Sequence, residues 1–171
     1  FSRNKKLNAA TGAGLGIEKS RVYSSWQKLI EGEKGKIDFV SICTPNGSHR
    51  EIATAAIEAG FDVLCEKPLS MTAAEAEEIC QLARRHKKIV GVPFTYSGYP
   101  MVKAARDVVS SGELGAICKV VLEYQQGSFR KIAAEGAKRI SWKMDPAASG
   151  PSCVTADIGV HGFHLIEYVT G

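Results

Sequence analysis

The sequence has no apolar run approaching the roughly 18 residues that a membrane-spanning helix requires, and its first residues do not read as a signal peptide. It has no Cys-x-x-Cys pair either. Cys43, Cys65, Cys80, Cys118 and Cys153 are odd in number, widely spaced and mostly set among apolar neighbours. That argues against a disulfide framework, and reduced thiols in a cytoplasmic protein are expected. No block of one charge sign stands out: the net charge of +4 comes from 22 basic and 18 acidic residues that largely interleave. Such a surface is solvated on all sides and gives no nucleic-acid stripe. Internal repeats and low-complexity tracts are also missing. What is present, 44% hydrophobic and 23% charged residues in a chain of 171, is an ordinary globular composition for one domain or two small ones.

The first half alternates strand and helix signals. Ile37–Cys43 (IDFVSIC) reads as a buried strand, and Ser48 with Glu51 has the Ser-x-x-Glu spacing of a capping box that opens a helix. That helix carries Ile52, Ala55, Ala56 and Ala59 on one side and stops at Gly60. Phe61–Cys65 is a second strand, Thr72 with Glu75 opens a second capped helix with Ala76, Ile79, Cys80 and Ala83 inward, and Ile89–Val92 is a third strand. Short apolar strands separated by helices predict βαβ units and a parallel sheet, an α/β fold. Ligands of such sheets bind beyond the carboxyl ends of the strands, where Thr44-Pro45-Asn46 and Glu66-Lys67-Pro68 fall.

The pattern changes near Pro93, which predicts one unit over 1–93 and another over 94–171. Met101–Ser111 reads as a helix with Val102, Ala105, Val108 and Val109 inward, and Ile117–Tyr124 as a half-exposed strand. Residues 125–153 look irregular, and Asp157–Val169 is expected to be a last helix.

The glycines of Thr11–Gly16 (TGAGLG) are one residue short of G-x-G-x-x-G and follow a polar, helical stretch instead of a strand. They are expected to end a helix, not to cradle phosphate. Ser2, Arg3 and Asn4 are more informative. If Phe1 ends a strand, these residues lie where a Rossmann sheet meets the adenosine ribose. Ser2 with Arg3 suits a 2′-phosphate where an acid would suit a free hydroxyl. A plain strand-to-helix turn fits the same residues.

Asp157, His161, His164 and Tyr168 are spaced 4, 3 and 4, one face of a helix. Structural histidines, a carboxylate-oriented acid/base imidazole and a metal site all fit that spacing. Lys67, held at a sheet rim by Pro68, can stabilise developing negative charge on an oxygen.

"DFVSICTPNGSH", "AIEAGFDVLCEKPLSMT", "SSGELGAI" and "DIGVHGFHLIEYVTG" resemble the Gfo/Idh/MocA oxidoreductases, in unbroken order from Phe1 to Gly171. The resemblance implies a Rossmann domain followed by an α/β domain with an open-faced sheet. It also implies NAD(P)-dependent hydride transfer at a hydroxyl-bearing carbon of a sugar, cyclitol or related polyol. By the same resemblance Lys67 lies beside nicotinamide and substrate hydroxyl, His161 is the acid/base, and Asp157 sets its tautomer. Thr44, Pro45, Asn46, His49 and Glu66 fall on the cofactor side, and His164 falls where the family touches substrate. No metal is implied, homo-oligomerisation through the second-domain sheet is expected, and Ser2-Arg3 leans the cofactor toward NADP. The family's first strand and glycine-rich turn have no counterpart, and about half of the usual chain is present, so a fragment is expected. A non-catalytic ligand- or partner-binding protein of the same fold is the alternative.

Overall fold

A computed structural model describes residues 1–125, 127, 130 and 142–171. Its centre is a parallel sheet of β1 (Phe39–Ile42), β2 (Asp62–Cys65) and β3 (Val90–Gly91), in that order. Phe39 pairs with Asp62, Ile42 with Cys65, and Val63 with Val90. The helices are α1 (Lys5–Gly14), α2 (Trp26–Glu33), α3 (His49–Glu58), α4 (Ala73–His86), α5 (Pro100–Ser110), a single turn α6 (Pro146–Ser149), and α7 (Val160–Thr170).

The sheet follows the expected βαβ order, with one correction. The strands are not buried on both faces. Val40, Ile42, Val63 and Cys65 point inward, whereas Phe39 and Leu64 are exposed. Successive side chains of a strand point to opposite faces, and α3 and α4 pack together on the inward one. Their Ile52, Ala53, Ala56, Ile57, Ile79, Leu82 and Ala83 close the core with Phe61. Full burial of an Ile or Phe side chain contributes about 1.5–3 kcal/mol, so this cluster anchors the sheet whose rim carries the polar groups.

The caps differ from each other. Thr72 Oγ1 accepts from Glu75 N–H at 3.2 Å while the Glu75 carboxylate accepts from Met71 N–H, much as the spacing predicts. The Ser48 box does not form. The Ser48 hydroxyl instead donates to Thr44 Oγ1 and to the Pro45 carbonyl, both at 2.8 Å, because a 3₁₀ turn over Asn46–Ser48 leads straight into α3. The Thr11–Gly16 glycines lie in the last turns and exit of α1, as expected. A Cβ on Gly12 would come within 2.6 Å of Val22 Cγ2, so the close packing there depends on glycine.

Between α1 and β1, where the sequence offered little, Arg21 grips the Glu33 carboxylate with two bonds of 2.8 and 2.6 Å, and Tyr23 O–H donates to it at 2.8 Å. The Arg21 bonds, then the Tyr23 bond, pull the Glu33 carboxyl down to about 2.

Three expectations after Pro93 are revised. Val102 and Val109 of α5 are half-buried, but Ala105 and Val108 are exposed. Ile117–Tyr124 pairs with no strand among the described residues, and a lone extended segment has no ladder of hydrogen bonds. The last helix is preceded by a π turn over Thr155–Gly159, which contains Asp157. Much of the irregular 125–153 stretch lies outside the described residues.

Candidate active site

The three strands end at one rim. Thr44-Pro45-Asn46 follows β1, Glu66-Lys67-Pro68 follows β2, and Val92 to Tyr96 follow β3. Parallel pairing in register brings these loops side by side, with the Glu66 N–H still donating to the Ile42 carbonyl at 2.9 Å.

Lys67 reaches from this rim to the turn before α7. Its Nζ donates to the Asp157 carbonyl at 2.6 Å and to Asp157 Oδ1 at 2.8 Å, across 90 residues of sequence. Both side chains are largely withdrawn from water, at 17% and 12% exposure. Lys143 holds the same carboxylate from its own side, donating to Oδ1 at 3.0 Å and Oδ2 at 2.9 Å. Burial by itself raises the Asp157 carboxyl, but the bonds from Lys143 and Lys67 and the two charges outweigh it, and the group sits below the usual carboxylate range. The Lys67–Pro68 peptide is cis.

His161 stands one helical step beyond Asp157, half-buried. Its Nδ1 is buried without a hydrogen-bond partner. Asp157 therefore does not set the imidazole tautomer as the resemblance implied: its carboxylate is engaged by the two lysines. The π turn accounts for this, because an extra residue in the turn takes Asp157 out of strict i, i+4 register with His161. Burial first, then the Lys67 charge, lower the His161 pKa. The charges of Asp157 and Glu66 oppose this only in part. Both influences disfavour the protonated imidazole.

Aromatic rings frame both histidines. Phe94 stacks on His164 with centroids 4.0 Å apart and planes 8° from parallel, and meets His161 edge-on at 6.0 Å. Tyr96 lies 4.9 Å from the His161 ring, and its hydroxyl bonds that of Tyr124 at 2.8 Å. On its other side His164 faces Tyr168, which in turn carries the Arg106 guanidinium over its ring. His164 is thus embedded in a stack.

The remaining expected residues divide. Ser2, Arg3, Thr44 and Pro45 line one cavity of about 450 Å³ together with Ser25, Trp26 and Gln27. Asn46 and His49 do not line it. Asn46 is buried, and its amide donates to the Ser149 carbonyl at 3.0 Å, tying the β1 loop to α6. His49 is fully buried, with Nδ1 2.8 Å from the Pro68 carbonyl oxygen and Nε2 2.8 Å from that of Thr44. Both ring nitrogens are thereby occupied, and the imidazole cross-ties the first two rim loops. Glu66 keeps its place at the rim, where it accepts from the Lys67 N–H at 3.2 Å.

Phe94, Tyr96 and Lys143 were not among the expected residues. The first two occupy the carboxyl-end position of the third strand, the same signal that identified Lys67. Lys143 sits in a stretch without periodicity. Among the described residues, no three His, Cys, Asp or Glu side chains converge as a metal site requires. No helix among them is long and apolar enough to cross a membrane.

Comparison with known proteins agrees with the fold. Residues 1–94 match the oxidoreductase family with an NAD-binding Rossmann fold, GFO/IDH/MocA, and residues 102–171 match the GFO/IDH/MocA C-terminal domain. The chain belongs to the GFO/IDH/MocA oxidoreductases. It is 39% identical over 165 residues to the uncharacterized oxidoreductase YfiI of Bacillus subtilis, covering 92% of this chain and 41% of that protein. It is 30% identical over 168 residues to levoglucosan dehydrogenase of Pseudarthrobacter phenanthrenivorans, covering 98% and 41%. Among solved structures it resembles the inositol dehydrogenase homolog from Azotobacter vinelandii complexed with NADH and myo-inositol. The TM-score is 0.86 at 35% identity, over 99% of this chain and 43% of that one. The chain thus spans less than half the length of these relatives.

Proposed function

We propose that this chain forms the site of an NAD(P)-dependent oxidoreductase that moves hydride between nicotinamide and a hydroxyl-bearing carbon of a sugar, cyclitol or related polyol. Residues 1–93 would hold the cofactor and 94–171 carry the acid/base. The observation that carries this reading is the meeting of Lys67 with Asp157, one helical step from His161, whose protonated form is disfavoured.

The residues present fit the cofactor. The cavity lined by Ser2, Arg3, Thr44 and Pro45 opens at the carboxyl side of the sheet, and Arg3 is exposed there. With no acid at positions 2–4, a ribose 2′-phosphate is favoured over a free 2′-hydroxyl, which points to NADP. When bound, the oxidised nicotinamide supplies the acceptor for the hydride.

The chain's own groups do the rest. Two N–H bonds of Lys67 are spent on Asp157, and the third has no protein partner among the described residues. That N–H is available to a substrate oxygen and favours its alkoxide. His161 takes the hydroxyl proton as the C–H electron pair leaves the same carbon. Asp157 anchors the ammonium so that its direction is fixed.

The test is fluorescence titration with NADPH and NADH, followed by a panel containing myo-inositol, levoglucosan and D-xylose with each oxidised cofactor. NADPH is expected to bind about tenfold or more tightly than NADH, with the preference lost in Arg3→Ala. Reduction of the cofactor by one of these polyols is expected as well. Saturable binding with no reduction of either cofactor by any of them would instead favour a non-catalytic protein of this fold.

A further inference from the structure

We infer that Tyr96, braced by Tyr124, is a positioning residue for His161: ring packing takes the place of a carboxylate in orienting the imidazole and leaves Nε2 as the nitrogen that meets the substrate. The inference rests on the dehydrogenase reading of the site, but it can be read from the imidazole itself, apart from turnover.

A general base works only when its lone pair is aimed at the proton it takes. A hydrogen bond to the other ring nitrogen commonly fixes that aim. Here it is missing, because His161 Nδ1 is buried with no hydrogen-bond partner. A buried nitrogen does not reach a substrate hydroxyl. Nε2 must therefore accept the proton, and Nδ1 must already carry one. No acceptor holds this tautomer in place, so the orientation has to come from what surrounds the ring.

Two rings touch it from the loop after β3. Phe94 meets it edge-on at 6.0 Å, and Tyr96 is closer, with centroids 4.9 Å apart and planes 59° from parallel. The Tyr96 ring is anchored at its far end, where its hydroxyl shares a 2.8 Å bond with that of Tyr124. That bond, with burial behind it, raises the Tyr96 phenol above its usual range, so the anchor stays intact where His161 titrates.

The position of Tyr124 follows from a close approach beside His161. Gly162 is buried in α7, and a Cβ there would come within 2.9 Å of Leu122 Cδ2. In an extended segment residues 122 and 124 share a face, so the contact that seats Leu122 on α7 also delivers Tyr124 to Tyr96. Tyr96, Tyr124 and His161 line one cavity of about 240 Å³ with Leu122 and Gly162. On that side the rings have no packing to hold them, and the hydroxyl bond does so instead.

The experiment is nitrogen NMR of the His161 ring in the full chain, assigned with His161→Gln, with kcat and KM measured alongside. The proteins are wild type, Tyr96→Phe, Tyr124→Phe, the double variant, and Tyr99→Phe as the loss of a hydroxyl outside the brace. In wild type above about pH 8, where the ring is neutral, Nδ1 is expected to carry the proton and Nε2 to be bare. Tyr96→Phe and Tyr124→Phe remove the same bond from opposite ends. Each is expected to mix the two tautomers and to lower kcat about three- to tenfold, with NADPH affinity unchanged. The double variant should match the single ones, since the bond is lost only once. Tyr99→Phe should alter neither reading. Either single variant serves if the other does not fold. A proton on Nε2 in wild type, an unchanged tautomer in a folded single variant, or a double variant whose loss is the product of the two singles overturns the inference. Failure of wild type to oxidise any polyol counts against the dehydrogenase reading instead, and the ring spectra then decide the role of Tyr96.

Discussion

Residues 37–91 and residues 94–171 are stabilised by different kinds of contact. The first region holds a continuous apolar cluster in which Val40, Ile42, Ile57, Phe61 and Ile79 are buried. Among the described residues, the second contributes no buried apolar side chain, and Met101, Leu114, Val121 and Phe163 are exposed. Polar ties run between the two: the Asn46 amide on the Ser149 carbonyl, and the Lys67 ammonium on Asp157. A packed core supplies a rigid rim, and directional bonds then hold the turn before α7 against it. The difference matters for function because polar ties depend on charge state and distance far more steeply than packing does.

Breaking the core should have the largest effect. Phe61→Ala removes a side chain that is 1% exposed between sheet and helices, and is expected to cost about 3–5 kcal/mol in urea unfolding. A cost below about 1 kcal/mol would show that the cluster is not the anchor. Asn46→Ala should cost less, about 1–3 kcal/mol, since it leaves the buried Ser149 carbonyl without its donor. Its distinguishing mark is that hydrogen exchange should speed up in 146–150 and not in β1. Uniform acceleration through the sheet would instead make Asn46 part of the core.

The smallest expected effects are those of pH. The folded His161 pKa lies below its ordinary value of about 6.5, so the unfolded chain takes up that proton first as pH falls. The contribution of His161 to stability is therefore full above about pH 6.5 and is lost as pH drops through the lower folded value. The acid limb of kcat/KM should likewise fall below pH 6.5. A limb above that value would mean that His161 is stabilised as imidazolium. Glu33 follows the carboxylate sign. With its folded pKa at about 2, its stabilising bonds are kept above the unfolded value near 4.5 and lost as pH falls toward 2. Glu33→Gln should flatten that acid loss without touching turnover.

The same comparison explains what could be read from the sequence. The sheet, α3 and α4 were legible because strand and helix periodicities, the Thr72 cap and the end of α1 are local signals. The rim position of Lys67 was legible because the ends of parallel strands share one edge, whereas the spacing that grouped Asp157 with His161 is altered by the π turn. Lys143 was not, because it reaches Asp157 from an irregular stretch that carries no period. The protein partners of Asn46 and His49 were not legible for a related reason. Their partners are backbone carbonyls at Ser149, Thr44 and Pro68, and a carbonyl has no signature in the sequence. The failed Ser48 cap and the π turn at Asp157 show that a spacing rule can be satisfied in letters while tertiary contacts choose another geometry.

The central claim is that the Lys67 ammonium and the His161 imidazole act on one substrate hydroxyl. It is tested most directly by cofactor reduction with the polyol that turns over fastest, comparing wild type with Lys67→Ala and His161→Ala at matched Tm. Each substitution is expected to lower kcat by about 100-fold or more, with cofactor affinity changed little in His161→Ala. Turnover at the wild-type rate in either folded variant would contradict the account.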